Sequence, residues 1–512
     1  MTQSIASAAR DDPERIHTDS VEAEAQRSLD LDRSLVDGIA WTGAMRFLAQ
    51  ALRWGATLLL ARLLSPADYG LVGYATVYLG LVALVNELGL SAAIVQQRHL
   101  TKDQIAKLGG VSALLGLGFF ALTLGASPLV ASFFREPRVQ PVVAILAVTF
   151  ILRGFQVLPR ALMTRELSFR QLAWIDGIEA GFLAGSTLIL ALLGYGYWAL
   201  VFGSIIGTAV GTMLAWWWRP HRMSWPSEFH TIRDAVNYGA HVAASRVTWY
   251  VYSNADFAVV GRMLGTVALG AYSFGWTIAN IPVEKVSAVL SRVTSGVFAS
   301  AQHDDSAIRR YLLSITEALA IVTFPVAAGL ALVAHDFVLV VLGDKWAPAI
   351  APMTILVAYS GFRSITVLFG QVLVATGRAK RNLHFSVVAA VLLPIMFVIG
   401  AQWGTAGVAL GWIIGFPIVF VPFTMRYTLR VIGMPWRTYG SALWPALSGS
   451  AVMAAAVLIA RLSLPDGNDT RTMALRLVVM VTVGALSYLG VMYLAHRERL
   501  RAFRAFLRTV RK

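Results

Sequence analysis

Five basic side chains stand in the middle of long apolar runs: Arg46, Arg53, Arg246, Lys285 and Arg363. A central arginine costs roughly 2.5–3.5 kcal/mol to insert into a bilayer even on the mildest scale. Each is therefore expected to face a protein interior or a watery cavity rather than lipid. Arg46 and Arg53 are seven residues apart, which returns a helix to nearly the same face, and Gln50 falls between them with Thr57 beyond. Arginine grips phosphate bidentately and keeps its charge when partly buried. Arg46, Gln50, Arg53, Arg246, Lys285 and Arg363 are the candidate substrate-binding residues, and the substrate they suit is an anion with polar surface.

Acids stand in similar runs: Glu87, Asp176, Glu179, Asp256, Glu284 and Glu317. Two readings of the intramembrane charges remain open. They form a substrate-facing set, or they are ion pairs that hold helices together. Arg292 and Glu317 fall near span ends, where long side chains snorkel to the interface. Arg153, Asp176 and Glu179 lie at intermediate depth. Glu87 and Glu284 occupy similar positions in two spans and are candidates for cation coupling, with a proton or sodium ion as the cation; salt bridges to Arg46 or Arg246 are the alternative. Trp41, Trp54, Tyr74, Tyr78, Trp249, Tyr250, Tyr252 and Trp276 suit sugar rings or a lipid chain, and such residues also populate membrane interfaces. No Walker A, G-x-S-x-G or H-E-x-x-H pattern occurs, and the nine histidines are scattered. No catalytic residue, metal site or cofactor is expected.

The elements that carry these residues are read from composition. The 512-residue chain is 57% hydrophobic and 14% charged, with no cysteine. Soluble domains are roughly 45–50% apolar, so this is an all-α integral membrane protein. Its net charge of +15 does not point to nucleic acid. The basic residues sit mostly in short loops and in the last helix, as membrane topology requires. Residues 1–36 are polar and read as a disordered tail without a signal peptide. Apolar spans follow at 38–63, 70–95, 105–127, 139–158, 172–192, 197–218, 234–260, 268–296, 311–334, 351–375, 383–401, 405–426, 440–460 and 473–495, about fourteen transmembrane helices. With the N-terminus in the cytoplasm, the inward connections carry 23 Lys and Arg and the outward ones 6. Residues 496–512 alternate arginines with Leu500, Phe503, Leu507 and Val510 and read as an interfacial helix or a solvated basic tail. Pro282, Pro325, Pro394 and Pro417 fall inside spans, as hinges or simple bends.

The sequence also repeats. A shift of 200 places Arg46 on Arg246, Arg62 on Arg262, Leu64 on Leu264 and Gly70 on Gly270, and ARLLSPADYGLVGYA faces GRMLGTVALGAYSFG without a gap. Parallel halves of this kind are common in transporters, with the substrate site between them.

The segments ARLLSPADYGLVGYATV and ELGLSAAIVQQ within 61–97, RALMTRELSF at 160–169 and FPVAAGLALVAHDFVLVVLGDKW at 324–346 carry a family resemblance. Together and in order, they resemble the Wzx-type polysaccharide and oligosaccharide flippases of the multidrug/oligosaccharidyl-lipid/polysaccharide exporter superfamily, in the branch that includes colanic-acid exporters. The resemblance implies two six-helix lobes related by a pseudo-twofold, plus two C-terminal helices. The expected layout is a cytoplasmic tail at 1–36, an N-lobe at 37–218, a cytoplasmic linker at 219–233, a C-lobe at 234–426, helices 13 and 14 at 427–495 and a basic cytoplasmic tail at 496–512. It implies alternating access and an undecaprenyl-diphosphate-linked oligosaccharide as cargo, flipped across the bacterial inner membrane for exopolysaccharide, capsule or O-antigen synthesis. Expected partners are that lipid-linked oligosaccharide, membrane lipids, a coupling cation and the polysaccharide polymerase machinery. Two other functions stand beside it: a multidrug cation antiporter, which should favour an acidic cavity, and a membrane glycosyltransferase or polymerase.

Overall fold

The computed structural model describes residues 55–86, 90–97, 100–227, 233–281, 298, 304–465, 467, 469–499 and 501. These residues are helices joined by short connections, with no strand among them. A bilayer leaves no water for the backbone, so apolar chain must satisfy its amides within the helix. Ten stretches of the described residues are long and apolar enough to cross a membrane.

Helix α1 ends at residue 63. It is followed by α2 (Pro66–Asn86), α3 (Leu90–Gln96), α4 (Lys102–Phe134), α5 (Val139–Leu146), α6 (Val148–Arg165), α7 (Phe169–Leu192) and α8 (Tyr197–Trp218). Then come α9 (Arg233–Leu264) and α10, residues 266–281. The remainder is α11 (Asp305–Phe337), α12 (Ile350–Ala375), α13 (Ala379–Gly400), α14 (residues 404–431), α15 (Trp436–Ser463) and α16 (Thr470–Leu494).

Local sequence fixes the starts. In Ser65-Pro66-Ala67-Asp68, the Asp68 carboxylate accepts from the Ser65 amide at 2.8 Å and proline takes the first helical position, where its missing N–H costs nothing. Thr101 and Gln104 exchange the two bonds of a capping box at α4 (2.9 and 3.2 Å). Asp304 caps α11 through the amides of Ser306 and Ala307 (2.9 and 3.1 Å). Gln402-Trp403-Gly404 reads as a tight hairpin, and α13 does turn back into α14 there, with Gly404 at φ +73°. Helix α14 is interrupted by two wide, π-type turns, Gly411–Gly415 and Val421–Met425, on either side of Pro417.

Close backbone approach builds the bundle. Gly203, Gly207 and Gly211 form a four-residue stripe on α8, and a side chain on any of them would run into Thr187, Leu183 or Glu179 of α7. Gly116 of α4 meets the Phe150 carbonyl of α6, and Ser112 donates to the Gly154 carbonyl at 2.8 Å. The main core runs through Tyr272, Tyr359, Phe369, Phe397 and Trp346, all fully buried. Helices α15 and α16 pack on each other and on α11.

Candidate functional site

The two repeated segments meet. A Cβ on Gly70 would collide with the Thr266 carbonyl, and one on Gly270 with the Pro66 carbonyl. The pairs 70–266 and 270–66 exchange under the 200-residue shift, as contacts do about a twofold axis. Equivalent positions around this pair also make contacts, though with different partners. The Ala61 carbonyl accepts from Trp346 Nε1 at 2.7 Å, and the Gly261 carbonyl accepts from Tyr74 Oη at 3.1 Å. Arg62 donates to the Val340 and Val341 carbonyls, while Arg262 lies over the Phe133 ring at 5.7 Å. Lys345 Nζ donates to the Arg62 carbonyl at 2.6 Å, and Thr266 Oγ1 donates to Glu136 Oε2 at 3.2 Å. One end of α2 and α10 is thus a tightly hydrogen-bonded seam.

Farther along the same helices, polar side chains converge. Trp276 and Asn280 are one turn apart on α10, and Tyr359 and Arg363 are one turn apart on α12. Arg363 is half-buried; its Nη1 donates to Asn280 Oδ1 at 2.5 Å and its guanidinium lies 5.4 Å from the Trp276 ring centre. Both partners are neutral, and no carboxylate pairs with it among the described residues. Trp412 of α14 packs 5.3 Å from both Trp276 and Tyr359. Its Nε1 donates at 2.8 Å to Asp256 Oδ2, which also accepts from Tyr272 Oη at 2.8 Å.

Of the expected substrate-binding set, Arg363 is the member whose side chain is described. Arg246 lies on α9, with its side chain outside the described residues. Arg46, Gln50, Arg53 and Lys285 lie outside them, as do the coupling candidates Glu87 and Glu284. Three of the other intramembrane acids are ion-paired: Arg160 bridges Asp176 and Glu179 between α6 and α7, and Arg499 pairs with Glu317. Gln156 also donates to Glu179 at 3.3 Å. Glu317 accepts from Arg499 at 3.2 Å.

Sequence reasoning missed Asn280 and the Arg476–Asp336 pair, in which a buried guanidinium of α16 forks onto a buried carboxylate of α11. The signal was present: one basic residue early in an apolar span and one acid late in another, at the same end by loop charge. His335, Arg461, Asp344 and Arg476 line a cavity of about 470 Å³ beside it.

A helical membrane bundle with paired segments and charge held in its interior is an arrangement common among transporters. Residues 59–351 match the polysaccharide biosynthesis protein family, and the chain belongs to it. It is 25% identical to the teichuronic acid biosynthesis protein TuaB of Bacillus subtilis (strain 168), over 91% of this chain and 97% of that one. It is 24% identical to the lipopolysaccharide biosynthesis protein WzxC of Escherichia coli (strain K12), over 81% and 85%. In fold it is similar to the lipid II flippase MurJ in an inward closed conformation, with a TM-score of 0.72 and 14% identity, covering 89% of this chain and 98% of that structure.

Proposed function

We propose that this protein flips an undecaprenyl-diphosphate-linked oligosaccharide from the cytoplasmic to the periplasmic leaflet of a bacterial inner membrane, by alternating access between two lobes. The observation that carries the reading is Arg363: an interior guanidinium held by an amide and an aromatic face, with no carboxylate answering it among the described residues. Such a group has its fork available for a diphosphate. The seam at Gly70 and Gly270 supports alternation, because it closes one end of the paired helices. The charge bias of the loops assigns that end to the periplasm. On this reading both termini are cytoplasmic, the spans number about fourteen, and 37–218 and 234–426 are the moving lobes. Arg46, Gln50, Arg53, Arg246 and Lys285 complete the cationic lining. The polysaccharide polymerase receives the flipped unit. The names of the relatives, each tied to a surface polysaccharide, support the substrate class.

Deletion of the gene should accumulate complete lipid-linked repeat units on the inner leaflet. A missing sugar would mean a glycosyltransferase instead, and unchanged polymer with altered drug efflux a multidrug antiporter. Arg363→Ala should reach the membrane at normal abundance and lose export, and Arg363→Lys should recover part of it, keeping charge without the planar fork. Normal export by Arg363→Ala would remove Arg363 from the site.

A further inference from the structure

The cavity of about 470 Å³ at the ends of α11, α15 and α16 stands apart from Arg363 and its neighbours. His335 enters it from the last turn of α11 and Asp344 from the connection to α12. Arg461 comes from the last turn of α15 and Arg476 from the second turn of α16. These side chains are of two kinds. Arg476 is buried and forks onto Asp336, and His335 Nδ1 lies 3.1 Å from Asp336 Oδ1. Those charges answer one another in the floor of the cavity. Arg461 and Asp344 are exposed, and among the described residues neither has an ion-pair or hydrogen-bond partner. They do not bridge each other. The cavity therefore presents one positive and one negative group, held apart over a floor of compensated charge.

That pairing selects a ligand by electrostatic complementarity. A simple anion satisfies Arg461 but is repelled by Asp344, and a simple cation does the reverse. A ligand with both signs a few bonds apart satisfies both. Position says where such a ligand comes from. The cavity lies where α11 and α15 end and α16 begins, the level at which apolar helices leave a bilayer. Leu458 stands one turn before Arg461 on α15, and Leu462 one turn beyond Leu458. Both are exposed, Leu462 to 86%, so no protein covers them. A charged pocket above an uncovered apolar stripe has the layout of a bound phospholipid, head group in the pocket and chains along the helix.

We propose that this cavity binds a membrane phospholipid with a phosphoethanolamine head group, its phosphate on Arg461 and its ammonium on Asp344, with the chains along Leu458 and Leu462. The guanidinium fork suits a phosphate. A primary ammonium carries three donors, and the Asp344 carboxylate only accepts. Binding is noncovalent and no bond breaks. By the charge bias of the loops, the leaflet is the periplasmic one. The occupant ties the connection after α11 to the end of α15, adding to the packing of α15 and α16 on α11. The site does not depend on the flippase reading.

The test titrates the full-length protein, delipidated in detergent, with phosphatidylethanolamine, phosphatidylcholine and phosphatidylglycerol of identical chains, read by native mass spectrometry. Phosphatidylcholine keeps both charges, but its quaternary ammonium has no N–H to donate; phosphatidylglycerol keeps the phosphate alone. The wild type should bind phosphatidylethanolamine about tenfold more tightly than either, the effect of one charge-assisted hydrogen bond. Asp344→Asn should erase that preference. Arg461→Gln should weaken all three lipids by about tenfold, by the same measure. Arg471→Gln removes an exposed charge of α16 outside the cavity and should change nothing. Melting in nanodiscs reads the site without detergent: phosphatidylethanolamine should raise the Tm of the wild type above its value in phosphatidylcholine, and should not do so for Asp344→Asn. Equal binding of the three lipids by the wild type overturns the proposal, as does a preference that survives Asp344→Asn. An equal loss in Arg471→Gln means general surface charge and overturns it. Displacement of the lipid by inorganic phosphate as readily as by O-phosphoethanolamine means a simple anion site and overturns it as well.

Discussion

Asp256 and Asp336 are both buried aspartates in the C-terminal part of the bundle, and the protein treats them in opposite ways. Asp336 is answered by Arg476, whose guanidinium forks onto both carboxylate oxygens, with His335 Nδ1 3.1 Å from Oδ1. Asp256 is answered by a phenol and an indole on one oxygen and, among the described residues, by nothing on the other. The first arrangement stores a fixed charge pair that joins α11 to α16. The second holds its carboxylate by neutral donors alone among the described residues. Burial alone therefore says little about a carboxylate's role; what decides is whether its partners bring a compensating charge.

The largest effect should come from breaking the pair that is complete. Arg476→Ala strands Asp336 and should cost roughly 3–5 kcal/mol, as removal of one partner of a buried ion pair does. The melting of the full chain in nanodiscs measures it. Adding Asp336→Asn should recover much of the loss, because the stranded charge is gone. Asp256→Asn should shift melting far less, by about 1 kcal/mol or under, since both donors retain an acceptor. Equal losses at the two aspartates would erase the distinction.

A middle-sized effect belongs to the seam, which contrasts with both aspartates in using backbone contact. Gly70→Leu or Gly270→Leu forces a side chain against the Thr266 or Pro66 carbonyl. Overpacking of that kind costs about 1–3 kcal/mol, and opening the seam relieves it. The chain has no cysteine, so it is its own background for labelling. Leu269 is fully buried beside Gly73 and Tyr74. A Leu269→Cys probe should resist a membrane-impermeant maleimide in the parent and react in the glycine variants. Unchanged labelling would mean that the seam does not gate access.

Much of this organisation was legible in sequence, for a physical reason. Apolar length dictates spanning helices, and Ser65-Pro66-Ala67-Asp68 and Thr101 with Gln104 announce helix starts by their capping chemistry. The 200-residue offset set Gly70 against Gly270 as equivalent positions, but that the two segments touch is a matter of packing that the repeat alone does not state. Periodicity does not say which helices face each other, so Arg363 could be named but Asn280 could not. Arg160 with Asp176 and Glu179 shows the converse. The acids were visible as intramembrane charge, but their ion pair depends on the packing of α6 against α7.

The smallest effect should come from Glu136, and it sharpens the comparison by placing an acid where solvent takes part. Glu136 lies in the connection between α4 and α5, paired with an exposed Arg138 at 2.8 Å and accepting from Thr266 across the seam. Hydrogen bonding to Arg138, outweighing burial, holds its carboxyl below the usual carboxylate range. A depressed value in the folded state means that the contribution is full above the unfolded value, near 4.3 for glutamate. It is lost as pH falls through the lower folded value. Exposed pairs contribute roughly 0–1 kcal/mol, so the seam should loosen slightly rather than open. Maleimide is a poor reporter in acid, where thiols are protonated; a spin label at Leu269→Cys serves instead. Its mobility should rise below the ordinary carboxylate range, and Glu136→Gln should abolish that step by removing the titrating group. The same substitution should leave the melting contrast between Arg476→Ala and Asp256→Asn unchanged, since Glu136 lies at the seam end and Asp256 among the aromatic rings of α10, α12 and α14. A change in that contrast together with the loss of the pH step would mean that the two regions respond as one unit, and the separation drawn between the solvent-facing acid and the buried one would fail.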